Sequence, residues 1–268
     1  NYSRVGFEAN HFSYSLHKCF VEQFPNTTWI STENIVELIA AVKDINEIES
    51  LKTAIQITDK VFDEILTLLA PGVSENKIAA TISYKFKEHG ADGDSYDPIV
   101  ASGWRSALPH ATPTEKKLKK GDFVVMDFGA LYDGYHADMT RTVVIGKATQ
   151  KHRDIYNTVS GSQIAGIKKA KAGVTGADVD KACREVIEKA GYGKFFTHST
   201  GHGIGLEVHT LPRLSSVNKT ALLENYVVTI EPGIYIPKWG GVRIEDDCLL
   251  KKDSCVPLNK STKELLEL

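Results

Sequence analysis

The chain is written twice. A helix, a turn, a second helix and a pair of acid-bearing strands run from about residue 44 to 147, and the same series returns from about 150 to 252. In the first copy Ile45, Ile48, Leu51, Ile55, Phe62, Ile65 and Leu69 share one face of a helix over 44–69. Asp44 and Glu47 read as its N-cap and reciprocal partner. Pro71-Gly72-Val73-Ser74 leads into a helix through Ile78, Ile82 and Phe86 that stops near Gly90. About 101 positions later a helix over 155–171 meets Ala172-Gly173-Val174-Thr175. The next helix passes through Val179, Cys183, Val186 and Ile187 and stops at Gly191, with Thr175 and Asp178 as its capping box. The strand 123–129 matches 227–233 at an offset of 104, and Asp138 matches Glu245 at an offset of 107. Chance likeness between α+β segments is the blander explanation. Matching caps, glycine stops and acids speak against it. Helices and strands in blocks, rather than alternating βα units, predict an α+β fold with antiparallel sheet covered by helices.

A chain of 268 residues can bury a core without staples. A net charge of −2 excludes an overall field suited to nucleic acid or anionic membrane. No apolar run nears the ~18 residues of a spanning helix. Cys19, Cys183, Cys248 and Cys255 form no C-x-x-C pair, which suits reduced thiols in the cytoplasm better than a disulfide framework or zinc ribbon. The opening Asn1-Tyr2-Ser3-Arg4 has neither Met nor a signal pattern, so a processed or truncated product is expected. Residues 1–42, with strand-like and helical fragments at 5–7 and 29–41, read as the tail of a preceding domain or a lid; 43–268 form the main domain. The charged run 115–120 reads as a solvated loop.

Apolar strands normally exclude acids, because a buried carboxylate is costly unless paired or bound to metal. Here Asp127 and Asp138, then Glu231 and Glu245, interrupt apolar stretches. Asp133-Gly134 is a favoured hairpin turn. If Tyr132 pairs with Tyr135, Asp127 faces Thr140, and Asp138 lies two residues away on the same face. Such diagonal neighbours are ~7–8 Å apart at the backbone, so the carboxylates can converge. Like charges that close need a cation between them. Four acids match two divalent ions, a recurrent device for hydrolysis. Oxygen ligands with one imidazole suit manganese, cobalt, zinc or iron. The imidazole comes from a glycine-rich stretch holding His198, His202 and His209. A lone histidine is more often a surface or core residue; three clustered with glycines are harder to explain that way.

The motifs Pro98-Ile99-Val100-Ala101-Ser102-Gly103, Leu108-Pro109-His110, Met126-Asp127-Phe128-Gly129, Asp138-Met139-Thr140-Arg141-Thr142, Gly201-His202-Gly203-Ile204-Gly205, Ile230-Glu231-Pro232-Gly233-Ile234-Tyr235 and Val242-Arg243-Ile244-Glu245-Asp246-Asp247 stand in this order. Together they resemble the pita-bread metallopeptidases, in particular the proline-specific branch of Xaa-Pro dipeptidase (prolidase) and aminopeptidase P. The likeness runs from about Val42 to Leu258. It implies two pseudo-symmetric helix-helix-hairpin halves around a curved antiparallel sheet. It implies that Asp127 and Asp138 bind one metal, that His202 and Glu231 bind the other, and that Asp138 and Glu245 bridge both. Manganese or cobalt is the expected pair. Glu231 would also take the proton of the attacking water. His110, His198 and His209 would hold substrate or pass a proton, and Arg243 would support the acids or substrate. The implied substrate is a short peptide with proline second, and a homodimer is the arrangement often found in the branch.

Methionine aminopeptidases share the fold, ligands and Gly-His-Gly-Ile-Gly stretch, but usually lack both Arg243 and the Gly-Ile-Tyr segment. A non-catalytic binding module is a third reading, against which the intact ligand set argues. Relatives usually carry a whole domain before the catalytic one, where only ~42 residues stand here. A more open site with weak or broadened activity is therefore expected. Asp127-Phe128-Gly129 and His152-Arg153-Asp154 spell protein-kinase triplets in the wrong order, without the glycine-rich loop.

Overall fold

The computed structural model describes residues 2–268 and divides into two compact units, one ending at Ala40 and the other spanning Ala41–Leu268. In the smaller unit, parallel strands Arg4–Glu8 and Thr28–Thr32 accompany a helix, Tyr14–Gln23. That helix buries no side chain, so no apolar stripe announces it in the sequence. The stretch 29–41 divides into the end of the second strand and a helix, Ile35–Ala41.

In the larger unit the repeat is visible element by element. Helices Ile45–Leu66 and Glu75–Glu88 back strands Ile99–Ser102, Phe123–Phe128 and Met139–Val144. Helices Gln150–Lys169 and Gly176–Lys189 back strands Gly201–Gly203, Val227–Ile230 and Asp246–Leu250. Both expected capping boxes are present: the Asp44 carboxylate accepts from the Asn46 and Glu47 amides, and the Thr175 hydroxyl accepts from the Asp178 amide. Each box satisfies amides that the first helical turn leaves without partners.

Each half has its own core. In the first, Val61, Phe62, Ile78, Ile82 and Phe86 of the helices meet Val124, Met126, Phe128, Met139 and Val143 of the strands. In the second, Ile155, Val159, Val179, Cys183 and Ile187 meet Val228, Ile230, Cys248 and Leu250. Strand side chains alternate between faces. With Val124, Met126 and Phe128 turned to the helices, Asp127 must turn away from them, and Asp138, Thr140 and Thr142 do the same on the neighbouring strand.

The first hairpin has the expected register: Tyr132 pairs with Tyr135, and Asp127 with Thr140. The second differs. Its ladders pair Ile230 with Asp246 and Gly233 with Arg243, so Glu231 and Glu245 fall opposite each other in the gap between them. Pro232, which has no N–H to give, lies in that gap. Neighbouring segments take up the freed amides: Glu231 N–H donates to Thr200 O (2.8 Å), and Glu245 N–H to Thr140 O of the first half (3.1 Å). The 115–120 run is only partly solvated. Leu118 is buried, and Lys116 Nζ holds Asp122 Oδ2 at 2.8 Å.

Candidate active site

A cavity of about 320 Å³ opens where the two hairpins meet, and every site residue expected from the sequence lines it: His110, Asp127, Asp138, His198, His202, His209, Glu231, Arg243 and Glu245. Tyr96, Ile99, Pro109, Ser199, Val208 and Arg213 complete the wall.

Asp127 and Asp138 arrive on the helix-averted face of the first hairpin, Glu231 and Glu245 on the ladder gap of the second. His202 sits mid-strand between Thr210–Leu214 and Val227–Ile230. Only glycine fits on either side of it. A Cβ at Gly201 would stand 2.0 Å from Thr229 O, and one at Gly203 2.0 Å from Leu211 O. His110 hangs from a loop whose two stems are held by one buried carboxylate. Glu75 Oε1 accepts from Ser102 N and Oγ, both at 2.8 Å, and Oε2 from Arg105 Nε (3.0 Å), Thr114 N (3.1 Å) and Thr114 Oγ1 (2.8 Å).

The His202 ring shows what the centre can hold. Its Nδ1–H donates to Gly203 O at 3.1 Å. In the neutral ring this turns the Nε2 lone pair toward Glu231 Oε1 (3.3 Å) and Asp138 Oδ2 (3.6 Å). Three acceptors facing one another call for a cation. Ligand atoms of Asp138, His202 and Glu245 lie within 4.8 Å of one another, all three residues being buried. The donor set therefore fits a divalent ion that prefers oxygen and tolerates one imidazole.

The electrostatics agree. Burial and neighbouring carboxylates, Asp127 foremost, push Asp138 well above the usual carboxylate range; burial and Asp138 do the same to Glu245. Burial also works against ionised Glu231, while the Arg243 guanidinium favours it. The Tyr96 hydroxyl lies within hydrogen-bonding reach of Asp127 Oδ1 and Asp138 Oδ1. Burial and those carboxylates raise its pKa, so it stays a donor.

Arg243 ties the acids to the histidines. Its Nη2 pairs with Asp127 Oδ2, its Nε donates to Thr140 Oγ1 (2.9 Å), and its Nη1 donates to Tyr235 OH (2.8 Å). Thr140 Oγ1 in turn donates to Glu245 Oε2 at 2.5 Å. His198 Nδ1–H donates to Ser199 O, leaving Nε2 to accept from Tyr235 OH, both at 2.8 Å. Burial lowers the His198 pKa, which favours that neutral form. His209 is exposed, its ring centroid 4.3 Å from that of His202, and burial of part of the ring lowers its pKa too. His110 is exposed on the cavity wall.

Sequence reasoning overlooked Tyr96, Thr140, Arg213 and Tyr235 as members of the site. Thr140 was recoverable from the period of two that links it to Asp138 and Thr142. Tyr96 stands 31 positions before Asp127 in a loop, and nothing local marks it.

The profile of metallopeptidase family M24 matches residues 49–252. Over 266 residues the chain is 41% identical to the Xaa-Pro dipeptidase of Pyrococcus furiosus, covering 99% of this chain and 76% of that protein. Among solved structures, the Xaa-Pro dipeptidase from Bacillus anthracis superposes with a TM-score of 0.97 at 44% identity, over 99% of this chain and 75% of that one. The X-Pro aminopeptidase from Thermotoga maritima superposes with a TM-score of 0.94 at 41% identity, over 99% and 76%.

Proposed function

Because the chain belongs to metallopeptidase family M24, and so is a metal-dependent peptidase with the pita-bread fold, we propose that it hydrolyses the bond between an N-terminal residue and a following proline. The observation that carries this reading is the convergence of four acids and His202, from two halves of the chain, on one cavity.

Asp127 and Asp138 would hold one divalent cation, His202 and Glu231 a second, with Asp138 and Glu245 shared between them. Manganese or cobalt suits the oxygen-rich set. Bound there, such ions lower the pKa of water and polarise a carbonyl. The protein's own groups do the rest. Glu231, on the cavity wall, accepts the proton of the attacking water. His198, a neutral ring held by Ser199 O and Tyr235 OH, orients the substrate carbonyl. His110 and His209, on the exposed wall, face the leaving nitrogen or the substrate backbone. Arg243 holds the Asp127 carboxylate in place.

Ile99, Pro109 and Val208 supply an apolar wall suited to a proline ring. Arg213 on the same cavity suits a free carboxylate, which favours dipeptides over longer chains. No helix among the described residues is long and apolar enough to cross a membrane. The four free thiols suit the reducing cytoplasm.

The test is hydrolysis of Xaa-Pro dipeptides, Xaa-Pro-Xaa peptides and Met-Ala, by metal-depleted chain with and without manganese. Manganese-dependent release from the dipeptides supports the reading. Cleavage of Met-Ala alone overturns it, and cleavage of the tripeptides alone overturns the dipeptide preference.

A further inference from the structure

Behind the acids, on the helix-facing side of the same strands, lies a charged cluster that the proposed chemistry does not use. Arg141 is 1% exposed. A guanidinium has five N–H groups, and here all of its nitrogens are engaged. Nε donates to Thr262 O (3.1 Å). Nη1 donates to Thr140 O (3.0 Å) and Glu245 O. Nη2 donates to Asp246 Oδ1 (2.8 Å) and Ser261 O (3.1 Å). The second Asp246 oxygen takes Gln163 Nε2 (3.1 Å) and Lys263 Nζ. A full-length buried cation is expensive to desolvate, and hydrophobic packing would serve stability as well. Its geometry suggests another use.

Two of the carbonyls it grips belong to Thr140 and Glu245, one from each half. These two residues are already joined twice, by Glu245 N–H to Thr140 O (3.1 Å) and by Thr140 Oγ1–H to Glu245 Oε2 (2.5 Å). Glu245 lies in the ladder gap, so its own hairpin does not fix its backbone. We infer that Arg141 is a positioning residue for the metal centre: it sets the backbone of Glu245 against the first-half strand and thereby aims the carboxylate proposed to bridge two cations. The C-terminal segment at 261–262 is part of the same clamp. This role rests on the metal-site reading above. A lysine keeps the charge beside Asp246 but has no planar fork to span carbonyls on three segments.

The experiment titrates metal-depleted wild type, Arg141→Lys, Asp246→Asn and Val159→Ala with manganese chloride alone, counting bound ions per chain and measuring affinity calorimetrically. Melting temperatures of the metal-free proteins are recorded alongside. Val159 is a fully buried second-half core residue whose side chain makes none of the clamp's hydrogen bonds, and its truncation reports what lost stability alone does. Substitutions behind metal ligands typically weaken binding 10–100-fold, so Arg141→Lys should lose affinity for at least one manganese by roughly that factor while Val159→Ala stays within about twofold. Equal affinity in Arg141→Lys and wild type overturns the role. So does an equal loss in Val159→Ala at a comparable drop in melting temperature. Should Arg141→Lys fail to fold, Asp246→Asn reads the same clamp: weakened binding supports the role, and wild-type affinity overturns it. Wild type that takes up no manganese refutes the metal site itself, a result distinct from all of these.

Discussion

Replacing Glu75 with glutamine should remove about 3–5 kcal/mol of stability, and the structure says where it goes. The two side chains are nearly isosteric, so the change is one of hydrogen-bond polarity and charge. All five groups around the carboxylate are donors: two backbone amides, two hydroxyls and the Arg105 Nε. An amide nitrogen cannot accept. If it takes the Oε1 position, the Ser102 N–H is left buried and unpaired; if it takes Oε2, both Thr114 N–H and Arg105 are. One unsatisfied buried amide costs about 1–3 kcal/mol. Breaking a buried ion pair costs about 3–5 kcal/mol. Arg105 keeps 15% side-chain exposure and a 2.6 Å bond to Thr112 O, which favours the lower end for that contribution. Domains of this kind are stable by about 5–15 kcal/mol, so the variant should still fold. Urea unfolding of the metal-free protein measures the loss as a shift in midpoint at constant slope. His110 lies between the two stems that Glu75 holds. Peptide turnover should therefore fall while manganese uptake stays normal. A stability loss under about 1 kcal/mol would refute the reasoning, because it would mean that the donors find other acceptors without strain.

Tyr96→Phe removes the hydroxyl shared by Asp127 and Asp138 and should weaken manganese binding about tenfold, as read by calorimetry; unchanged affinity would exclude a supporting role. Burial lowers the Lys43 pKa from 10.5 to about 8, despite the opposing pull of Glu47. Folding therefore releases a proton between those values, and stability attached to this group rises with pH across that window. Lys43→Met should stabilise the chain at pH 7 by up to about 3 kcal/mol, at ~1.4 kcal/mol per pKa unit, with the gain closing above pH 10 in urea unfolding. Gly203→Ala forces a Cβ to 2.0 Å from Leu211 O, so the strand must part and carry His202 out of position. Circular dichroism should keep most of its helical signal while manganese uptake is lost.

What the sequence disclosed, and what it hid, follows from the range of the interactions involved. The helices, their caps and the first hairpin are local features: Asp44 caps within three residues, and Asp133-Gly134 sets a register that carries Asp127 opposite Thr140. Alternation then decides which face each acid takes. The second hairpin could not be read this way. Its acids stand three residues further apart than those of the first, and the structure opens the ladder at Glu231 and Glu245 and hands the Glu245 amide to the other half. That exchange is between residues 105 positions apart, and neither strand alone encodes it. The same holds for Arg141, whose place on the helix-facing side looks like an error of patterning until Asp246, Ser261 and Thr262 are brought to it. The run of four motif residues from Arg243 to Asp246 joins these two layers. Arg243 and Glu245 face the cavity, whereas Asp246 faces the helices and answers Arg141. A chain that only needed to bury its strands would have placed apolar residues at 141 and 246. That it holds a matched pair of charges there, tied to the backbone of Glu245, is best understood as stability given up for the geometry of one carboxylate.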